Sequence, residues 1–358
     1  MREEVVIITP ELAPGSGGLA DYTRQFVKEW QGMFDVKFLL PSSSGCPTEQ
    51  SMGNNPAALL RKLPARGGKV LLQYSAYGFD RWGYPRGLLR TLVAWKRASG
   101  GRLVVMLHET WAFWPWWNKN YPLQQLHRRA LGRLLRIADA VFTTTTKQAT
   151  QLRDLHPQSE PEVMPVGANI SPAPGALIPR EIGCAVVLGR QVARVRTLRA
   201  MQAELTALAA AGCITQLITV GIGDISDGVE RALLAGLGLR DGFVQEGPRS
   251  AEEISALLLR ASFGISELDR DNVPKSGVFM IFAAHGLNVL SPCAGRAEEA
   301  PLCWATQPNE LREGLDAVEL ARRSAQLRAW QEQVGSWSQI ARRFATALGL
   351  DEAACHIR

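Results

Sequence analysis

The sequence predicts an α/β protein made of two doubly wound parallel sheets, and three observations predict it. Runs of apolar and β-branched residues alternate with helical patterns, a proline-rich stretch interrupts this alternation near the middle, and 358 residues with 46% hydrophobic side chains can fill two cores. Apolar strands separated by helices are typical of parallel sheets that are covered on both faces. A chain of this length most often forms two domains.

The first half of the chain holds six predicted strands. These lie at 5–9, 36–40, 69–74, 103–108, 140–145 and 162–166. Helical patterns separate them, for example at 19–30, 88–98 and 121–137. We therefore expect residues 1–168 to form one Rossmann-like domain.

A second domain is expected after a linker. Residues 169–183 contain three prolines and no regular period, which is typical of a linker. The alternation resumes over 184–334, with predicted strands at 184–189, 214–221, 242–247, 262–266 and 288–292. Ser250 followed by Glu253 predicts a capping box at the start of one helix.

Composition limits the class of protein. The net charge of +6 suits an anionic ligand or a membrane surface, but it is too diffuse to indicate nucleic acid. The six cysteines form no C-x-x-C pair, and we expect them to be reduced thiols of a cytoplasmic protein. The N-terminus lacks the pattern of a signal peptide, and no apolar run approaches the roughly 18 residues of a membrane span.

The loops that follow the strands are where open α/β sheets bind their ligands. Gly17 and Gly18 follow the first strand and precede a helix, so a phosphate or a sugar could approach the backbone there, although a tight turn would show the same pattern. His108 and Glu109 follow the fourth strand. They could transfer a proton or hold a sugar hydroxyl, or His108 could simply hydrogen-bond the backbone.

Tryptophans crowd the positions after this pair. Trp111, Trp114 and Trp116 would stack on the rings of a sugar acceptor, fill a local core, or contact a partner or lipid surface. The helix that follows has leucines on one face and arginines on another, as do helices that lie on membranes and many ordinary packed helices. Region 111–136 is therefore a candidate surface for a peripheral membrane or a protein partner.

Three groups of residues in the second half are candidates for binding a diphosphate. Arg190, Arg194 and Arg196 follow the strand at 184–189, and arginine forks match phosphate oxygens. Gly223 lies in a small-residue loop after the next strand. The third group precedes a helix whose N-terminus can cradle an anion, and it consists of Glu267, Lys275, Ser276, Gly277 and Val278.

The order of these segments resembles the GT-B glycosyltransferases, and among them the nucleotide-sugar transferases of family 4. The matching fragments are "GGLADYTRQFVKEW", "VVMLHE", "ADAVFTTTTKQATQL", "VMPVGANI", "VVLGRQVARVRTLRAMQAEL", "LITVGIGD", "VQEGPRSAEEISALLLRASFGIS" and "WSQIARRF". Together they span the chain. The resemblance implies the GT-B fold, in which two Rossmann-like doubly wound domains face a central cleft. It also implies that residues 335–358 form a helix that crosses back to the N-terminal domain.

The resemblance further implies a function. A GT-B enzyme of this kind transfers a sugar from a nucleotide-sugar to a hydroxyl acceptor in polysaccharide or glycoconjugate biosynthesis. The implied enzyme is a retaining, metal-independent hexosyltransferase without a cofactor, in the cytoplasm or at the inner face of the membrane. His108 and Glu109 would serve catalysis, the second-domain groups with Gly17 and Gly18 would bind the donor, and the tryptophans would bind the acceptor.

The sequence departs from the family's pattern at the donor site. The family carries Glu-x7-Glu here, and counting places Val273 and Ile281 at the two acids. Neither side chain can accept hydrogen bonds from a ribose, so Glu267 is the candidate replacement. Val195 stands where the family has a lysine, which leaves the neighbouring arginines to replace it.

These departures leave two other hypotheses open. A non-catalytic GT-B protein, acting as an assembly partner or a carbohydrate-binding subunit, would have lost its donor site. A different GT-B chemistry is the other hypothesis: an epimerase would need more acids and a histidine in the cleft than the sequence places there, and a cofactor-linked phosphorylase would need a lysine in a context that the sequence does not show.

Overall fold

A computed structural model provides the structure, and it describes residues 2–13, 17–41, 49–52, 56–111, 113–173, 179–223, 228–268, 271–293 and 300–350. The chain divides into two compact units. The first is Met1–Pro165 together with Trp337–Arg358, and the second is Val166–Ser336. The sequence placed the corresponding boundaries after residues 168 and 334.

The first unit contains a seven-stranded parallel sheet in the order β3-β2-β1-β4-β5-β6-β7. Its strands are β1 (Glu4–Ile8), β2 (Asp35–Leu40), β3 (Glu49–Ser51), β4 (Lys69–Tyr74), β5 (Arg102–Leu107), β6 (Ala140–Thr143) and β7 (Glu162–Val163). Its helices up to residue 165 are α1 (Gly18–Glu29), α2 (Pro56–Lys62), α3 (Ala76–Phe79), α4 (Arg86–Ser99), α5 (Tyr121–Leu135) and α6 (Thr146–Leu155). The central strands β1, β4 and β5 are buried almost throughout, as their apolar runs predict.

The second unit contains a five-stranded parallel sheet in the order β10-β9-β8-β11-β12. Its strands are β8 (Glu181–Leu188), β9 (Gln216–Val220), β10 (Phe243–Glu246), β11 (Ala261–Ile265) and β12 (Asn288–Leu290). Its helices are α7 (Gln191–Ala200), α8 (Gln202–Ala210), α9 (Gly228–Ala235), α10 (Ala251–Arg260), α11 (Gly277–Ala284), α12 (Pro308–Arg312) and α13 (Ala317–Val334). The capping box of Ser250 and Glu253 at the start of α10 is confirmed.

The last helix, α14 (Trp337–Leu348), belongs to the first unit. Phe344 of this helix meets Phe26 with a centroid distance of 5.0 Å and Phe142 with one of 5.4 Å. The indole N–H of Trp30 donates to the Ala341 carbonyl oxygen at 3.2 Å. The apolar face of α14 therefore completes the core of the sheet that starts the chain. Within the described ranges, none of the helices combines the length and apolar character that crossing a bilayer requires.

His285, the C-cap residue of α11, is buried in the second unit. Its Nδ1 lies 2.8 Å from the Ile281 carbonyl oxygen and its Nε2 lies 3.0 Å from the Ser255 hydroxyl. A neutral imidazole satisfies both contacts, with Nδ1–H donating and Nε2 accepting. Burial lowers the pKa of His285, the hydrogen bond to the Ile281 carbonyl opposes this in part, and the charges of Arg180 and Arg328 lower the pKa further.

Stability should therefore decrease in acid. The unfolded chain takes up the His285 proton near the ordinary pKa of about 6.5, whereas the folded chain does not, so the free energy of unfolding falls as the pH falls through this range. One such group contributes at most about 1.4 kcal/mol per pH unit. Chemical denaturation between about pH 5 and 8 measures this slope. His285→Gln should reduce it, and an unchanged slope in that variant would contradict the assignment.

Candidate active site

Two loops at the carboxyl edge of the five-stranded sheet are held tightly together. The Gln191 amide donates to the Ile222 carbonyl oxygen at 2.9 Å. At Gly221, where φ is +133°, an added Cβ would lie 2.3 Å from the Gly189 carbonyl oxygen, so the approach requires glycine. At Gly223, where φ is +153°, an added Cβ would lie 2.4 Å from Gln191 Cβ. Gly223 thus lets the two loops touch, and its contact with a donor stays a prediction.

Arg190 is the exposed residue at the tip of the first of these loops. It is the N-cap residue of α7 and has an extended backbone. A phosphate at this position would meet both a guanidinium fork and the positive end of the helix dipole. The position of Arg190 is therefore consistent with the predicted diphosphate contact.

Arg194 lies in the interior, so its predicted contact with phosphate is wrong. Its side chain and that of Glu230 are both 0% exposed, and the guanidinium donates to both Glu230 carboxylate oxygens at 2.8 Å. It also donates to the carbonyl oxygens of Gly189 at 2.7 Å and Ile222 at 3.3 Å. The face of α7 that carries Arg194 packs against α9, so this arginine supports the two loops from inside and does not reach a ligand.

Arg196 and Glu267 contact each other, although the sequence predicted separate contacts with phosphate and sugar. Arg196 Nε donates to Glu267 Oε1 at 2.8 Å, and the Thr197 hydroxyl donates to Glu267 Oε2 at 2.5 Å. The Arg196 side chain is 65% exposed, whereas that of Glu267 is 13% exposed. Glu267 therefore joins the end of β11 to α7, and Arg196 presents its outer side to solvent at the same edge.

The N-terminus of α11 is open to an anion. Ser276 caps the helix by accepting a hydrogen bond from the Phe279 amide at 3.1 Å, as predicted for an N-cap serine. An added Cβ at Gly277 would meet no atom within 4 Å, and Lys275 is exposed just before the helix. The Gly277 and Val278 amides belong to the first turn, where a helix supplies no carbonyl partner. These groups can together receive a phosphate.

The two positions aligned with the family's acids are part of the core. Val273 is 1% exposed and Ile281 is 6% exposed, and both pack in the main hydrophobic cluster of the second unit. No carboxylate stands at either position, because both residues are apolar. A ribose bound at this edge would have to find its hydrogen bonds elsewhere.

His108 lies directly after β5 at the carboxyl edge of the seven-stranded sheet. Its Nε2 is 2.7 Å from Gln73 Oε1, and its ring meets the Tyr22 ring edge-on with a centroid distance of 5.1 Å. The Gln148 side-chain amide donates to the His108 carbonyl oxygen at 3.2 Å. Because the Gln73 oxygen accepts, this contact favours the tautomer with the proton on Nε2.

Two residues that contact His108 keep an unpaired polar atom in the interior. Gln73 Nε2 and the Tyr22 hydroxyl are buried and have no hydrogen-bond partner among the residues that the structure describes. Burial, opposed by a smaller effect of Arg343, raises the pKa of Tyr22, so its phenol stays neutral at physiological pH. Buried polar atoms without partners are costly, so a polar ligand group that reaches them would be stabilised.

Gly17 and Gly18 lie at the start of α1, one turn before Tyr22. Gly17 has an extended backbone that any residue can adopt, and an added Cβ there would lie nearest the movable carboxylate of Glu11. An added Cβ at Gly18 would meet no atom within 4 Å. The described fold therefore does not require glycine at Gly18, and the space beside it is open to a ligand.

Replacing Gly18 by valine should preserve the fold and impair sugar transfer. The side chain would occupy the open space, and displacing a reactant by about 1 Å can cost roughly 100-fold in rate. The affinity for a nucleoside diphosphate should change less than about threefold, since the diphosphate candidates are in the other unit. Steady-state transfer kinetics and calorimetric titration separate the two effects. Equal losses in both measurements would contradict this role.

Glu109 is exposed at the same edge, next to His108. Burial raises the pKa of the Tyr77 phenol, and the charge of Glu109 adds to this effect. The Glu109 carboxylate therefore lies close enough to Tyr77 to affect the ionisation of its phenol. Its catalytic role stays a prediction.

The three predicted acceptor tryptophans differ in their surroundings. Trp111 packs partly on the core of the first unit, with the guanidinium of Arg128 5.4 Å from its ring centroid. Trp114 is half-buried, and its backbone amide donates to Gln124 Oε1 at 2.6 Å. Trp116 is 76% exposed. Trp111 therefore has a structural role in the core, and Trp116 is accessible for stacking.

Sequence reasoning missed Tyr22, Gln73 and Glu230. Gln73 gave a signal, because it is a polar residue near the end of an otherwise apolar strand. Glu230 gave none, since nothing near it in the sequence marks its buried partner 36 residues away. Across the described ranges, no three His, Cys, Asp or Glu side chains gather as metal ligands.

The family model of Glycosyltransferase Family 4 matches residues 16–171, most of the first unit. No curated protein sequence matches the chain. Over these residues the match confirms the family resemblance that the fragments of the first half indicated.

Solved structures match over nearly the whole chain. WaaG, a glycosyltransferase involved in lipopolysaccharide biosynthesis, is 15% identical, with 96% of this chain and 100% of that chain covered and a TM-score of 0.59. An E. coli trehalose-6-phosphate protein bound with UDP-2-fluoro glucose is 13% identical, with 97% of this chain and 99% of that chain covered and a TM-score of 0.61. An alpha-glucosyltransferase in complex with UDP and a 13-mer DNA is 11% identical, with 98% of this chain and 100% of that chain covered and a TM-score of 0.57. These likenesses confirm the predicted GT-B fold.

Proposed function

We propose that this chain, which has the GT-B fold and matches Glycosyltransferase Family 4 over residues 16–171, transfers a sugar from a nucleotide-sugar donor to a hydroxyl acceptor. The observation that carries the proposal is the open anion site at the carboxyl edge of the second unit. Arg190 and Lys275 are exposed there and supply positive charge. The first turn of α11 supplies free amides that remain open to solvent. Such a site suits the diphosphate of a nucleotide-sugar.

The donor site supplies most of the catalysis in this proposal. The bond between the sugar C1 and the diphosphate oxygen breaks, a bond from C1 to the acceptor oxygen forms, and the hydroxyl proton leaves with the nucleoside diphosphate. Negative charge grows on the diphosphate as it departs, so Arg190, Lys275 and the amides of Gly277 and Val278 stabilise the transition state more than the ground state. We propose retention at C1 and no metal ion or cofactor, as the resemblance implies.

The first unit would hold the sugar and the acceptor. Gly18 leaves room at the start of α1, and His108 is oriented by Gln73 so that its ring can position a hydroxyl or assist the proton transfer. The unpaired Gln73 Nε2 and Tyr22 hydroxyl are further polar contacts in reach of this edge. Glu109 and the exposed Trp116 are proposed contacts for the acceptor.

The product would be a polysaccharide or a glycoconjugate made in the cytoplasm. Several solved structures with this fold are glycosyltransferases, and one of them acts in lipopolysaccharide biosynthesis. The four cysteines in the described part of the chain are free thiols, which supports a reducing compartment.

Titration with nucleoside diphosphates tests the donor site directly. UDP, GDP and ADP would be titrated by calorimetry, followed by transfer assays with the sugar-nucleotides of whichever base binds. At about 100 times its dissociation constant, a bound nucleotide should raise the free energy of unfolding by about 2.7 kcal/mol. Binding without turnover of any donor would favour a non-catalytic partner. Absence of binding by all three would refute the proposal.

A further inference from the structure

Six arginines line a groove on α4 and α5 in the first unit. One opening, of about 550 Å³, is lined by Arg128, Arg129, Arg133 and Arg136 together with Tyr121 and His156. The adjoining opening, of about 710 Å³, is lined by Arg90 and Arg97 and again by Arg133 and Arg136. We call these six arginines the arginine groove. Among the described lining residues of both openings there is no aspartate or glutamate.

The charge of the whole molecule is concentrated here. Residues 86–99 carry four basic side chains and residues 121–136 carry four more, with no acidic residue in either stretch. The net charge of the entire chain is +6, so everything outside these two stretches sums to −2. Asp139, shortly after α5, is already paired with Lys96 at 2.5 Å. The groove therefore faces solvent as a positive surface, while the charges outside its six arginines sum to zero.

Large exposed aromatic rings lie on two loops that are attached to α5, the helix that carries most of the groove. We call them the aromatic rim, and they are Trp82 (58% exposed), Phe113 (79%), Trp116 (76%) and Trp117 (72%). His127 of α5 fixes the loop of Trp82 by a 2.9 Å contact with its carbonyl oxygen, and Gln124 of α5 fixes the next aromatic loop at the Trp114 amide. Soluble proteins rarely expose so many large aromatic rings on neighbouring loops unless a partner covers them.

Arginine–aromatic contacts connect the rim with the groove. Arg128 lies over the Trp111 ring at 5.4 Å, and Arg133 lies over the Tyr84 ring at 6.0 Å. Trp111 and Tyr84 are each two residues from a member of the rim. These contacts place two arginines of the groove against rings that are near neighbours of the rim in the chain, so the groove and the rim adjoin.

We propose that the arginine groove and the aromatic rim dock this chain on an anionic phospholipid surface. Arginine forks bind the phosphate oxygens of lipid headgroups, and indole rings lie at the level of the headgroups with their apolar part in the acyl region. A free phosphate would explain the arginines but would leave the four rings uncovered. The concentration of positive charge on this face would orient it toward an anionic membrane.

Vesicle flotation of the full chain without nucleotide tests the proposal separately from the transfer reaction. We expect binding to vesicles of phosphatidylcholine with phosphatidylglycerol, weaker binding as salt is raised, and little binding to phosphatidylcholine alone. Arg133→Gln with Arg136→Gln, which alters both openings, should weaken binding about 10- to 30-fold. The matched control is Arg199→Gln with Arg312→Gln, which removes two exposed arginines from the second unit and should bind like the unchanged chain.

A second pair of substitutions tests the rings. Trp82→Ser with Trp117→Ser should also weaken vesicle binding by about tenfold or more, while thermal melting and UDP titration stay unchanged. Equal vesicle binding by the groove variant and its control would overturn the proposal. The proposal would also be overturned if the chain did not bind vesicles but was stabilised by inorganic phosphate, or retained by an oligonucleotide, in a manner that depends on Arg133. The groove would then bind a soluble anion.

Discussion

Replacing Arg194 by methionine should lower the free energy of unfolding by about 3–5 kcal/mol. The substitution leaves the Glu230 carboxylate buried without its counter-charge, and breaking one side of a buried pair costs this much. It also removes the donors to the Gly189 and Ile222 carbonyl oxygens, which hold the two loops of the donor edge. Urea denaturation measures the first effect, and nucleoside diphosphate titration measures the second.

The double substitution Arg194→Met with Glu230→Leu separates charge from packing. Since no charge then stays in the interior, much of the lost stability should return. Nucleotide affinity should remain low, because neither apolar side chain can donate to the loop carbonyls. The free energy of unfolding of the single Arg194→Met variant is the decisive value. If it lies within about 0.5 kcal/mol of that of the unchanged chain, as for an ordinary surface substitution, the pair does not support the fold.

Arg190→Gln should reduce kcat/KM for the nucleotide-sugar by about 10- to 100-fold. A hydrogen bond to a charged group contributes roughly 1.5–3 kcal/mol, and here the charge on the diphosphate increases in the transition state. Arg190→Lys should recover part of the loss, because the charge returns without the fork. Steady-state kinetics with the identified donor provide the measurement.

The control for this prediction lies on the same helix. Arg199 is exposed near the end of α7, so Arg199→Gln removes an equal charge away from the loop and should change kcat/KM by less than about twofold. Arg190 would lose its assigned role if both variants behaved alike. It would keep only a binding role if kcat were unchanged while KM rose.

The fold was largely predictable because its strands are buried on both faces. β4 was predicted with its observed bounds, 69–74, since every residue after Lys69 is buried and the run is mostly apolar. β3 was missed because it is a three-residue edge strand, Glu-Gln-Ser, without an apolar signal. The break between α7 and α8 at Met201 was not predictable, because no glycine or proline marks it.

The candidate site was less predictable, because position along a helix does not reveal which side chain turns inward. Arg194 and Arg196 are two residues apart on α7, yet one is 0% and the other 65% exposed. The apolar residues of α7 do not define one clear face, so the sequence left the two arginines equivalent. The contacts that distinguish them, with Glu230 and Glu267, join residues 36 and 71 positions apart. Only the packing of α7 against its neighbours supplies that information.

The place of α14 has a consequence for how the protein is made. The first unit needs Phe344 and Trp337 to cover Phe26, Phe142 and Tyr22, and these two side chains leave the ribosome only after the whole second unit has been synthesised. The second unit, by contrast, is one uninterrupted stretch of chain. The part that begins the protein is therefore the last to be completed during translation. A gene fragment that ends at residue 165 encodes a sheet with an open apolar face, whereas one spanning 166–336 encodes a whole unit.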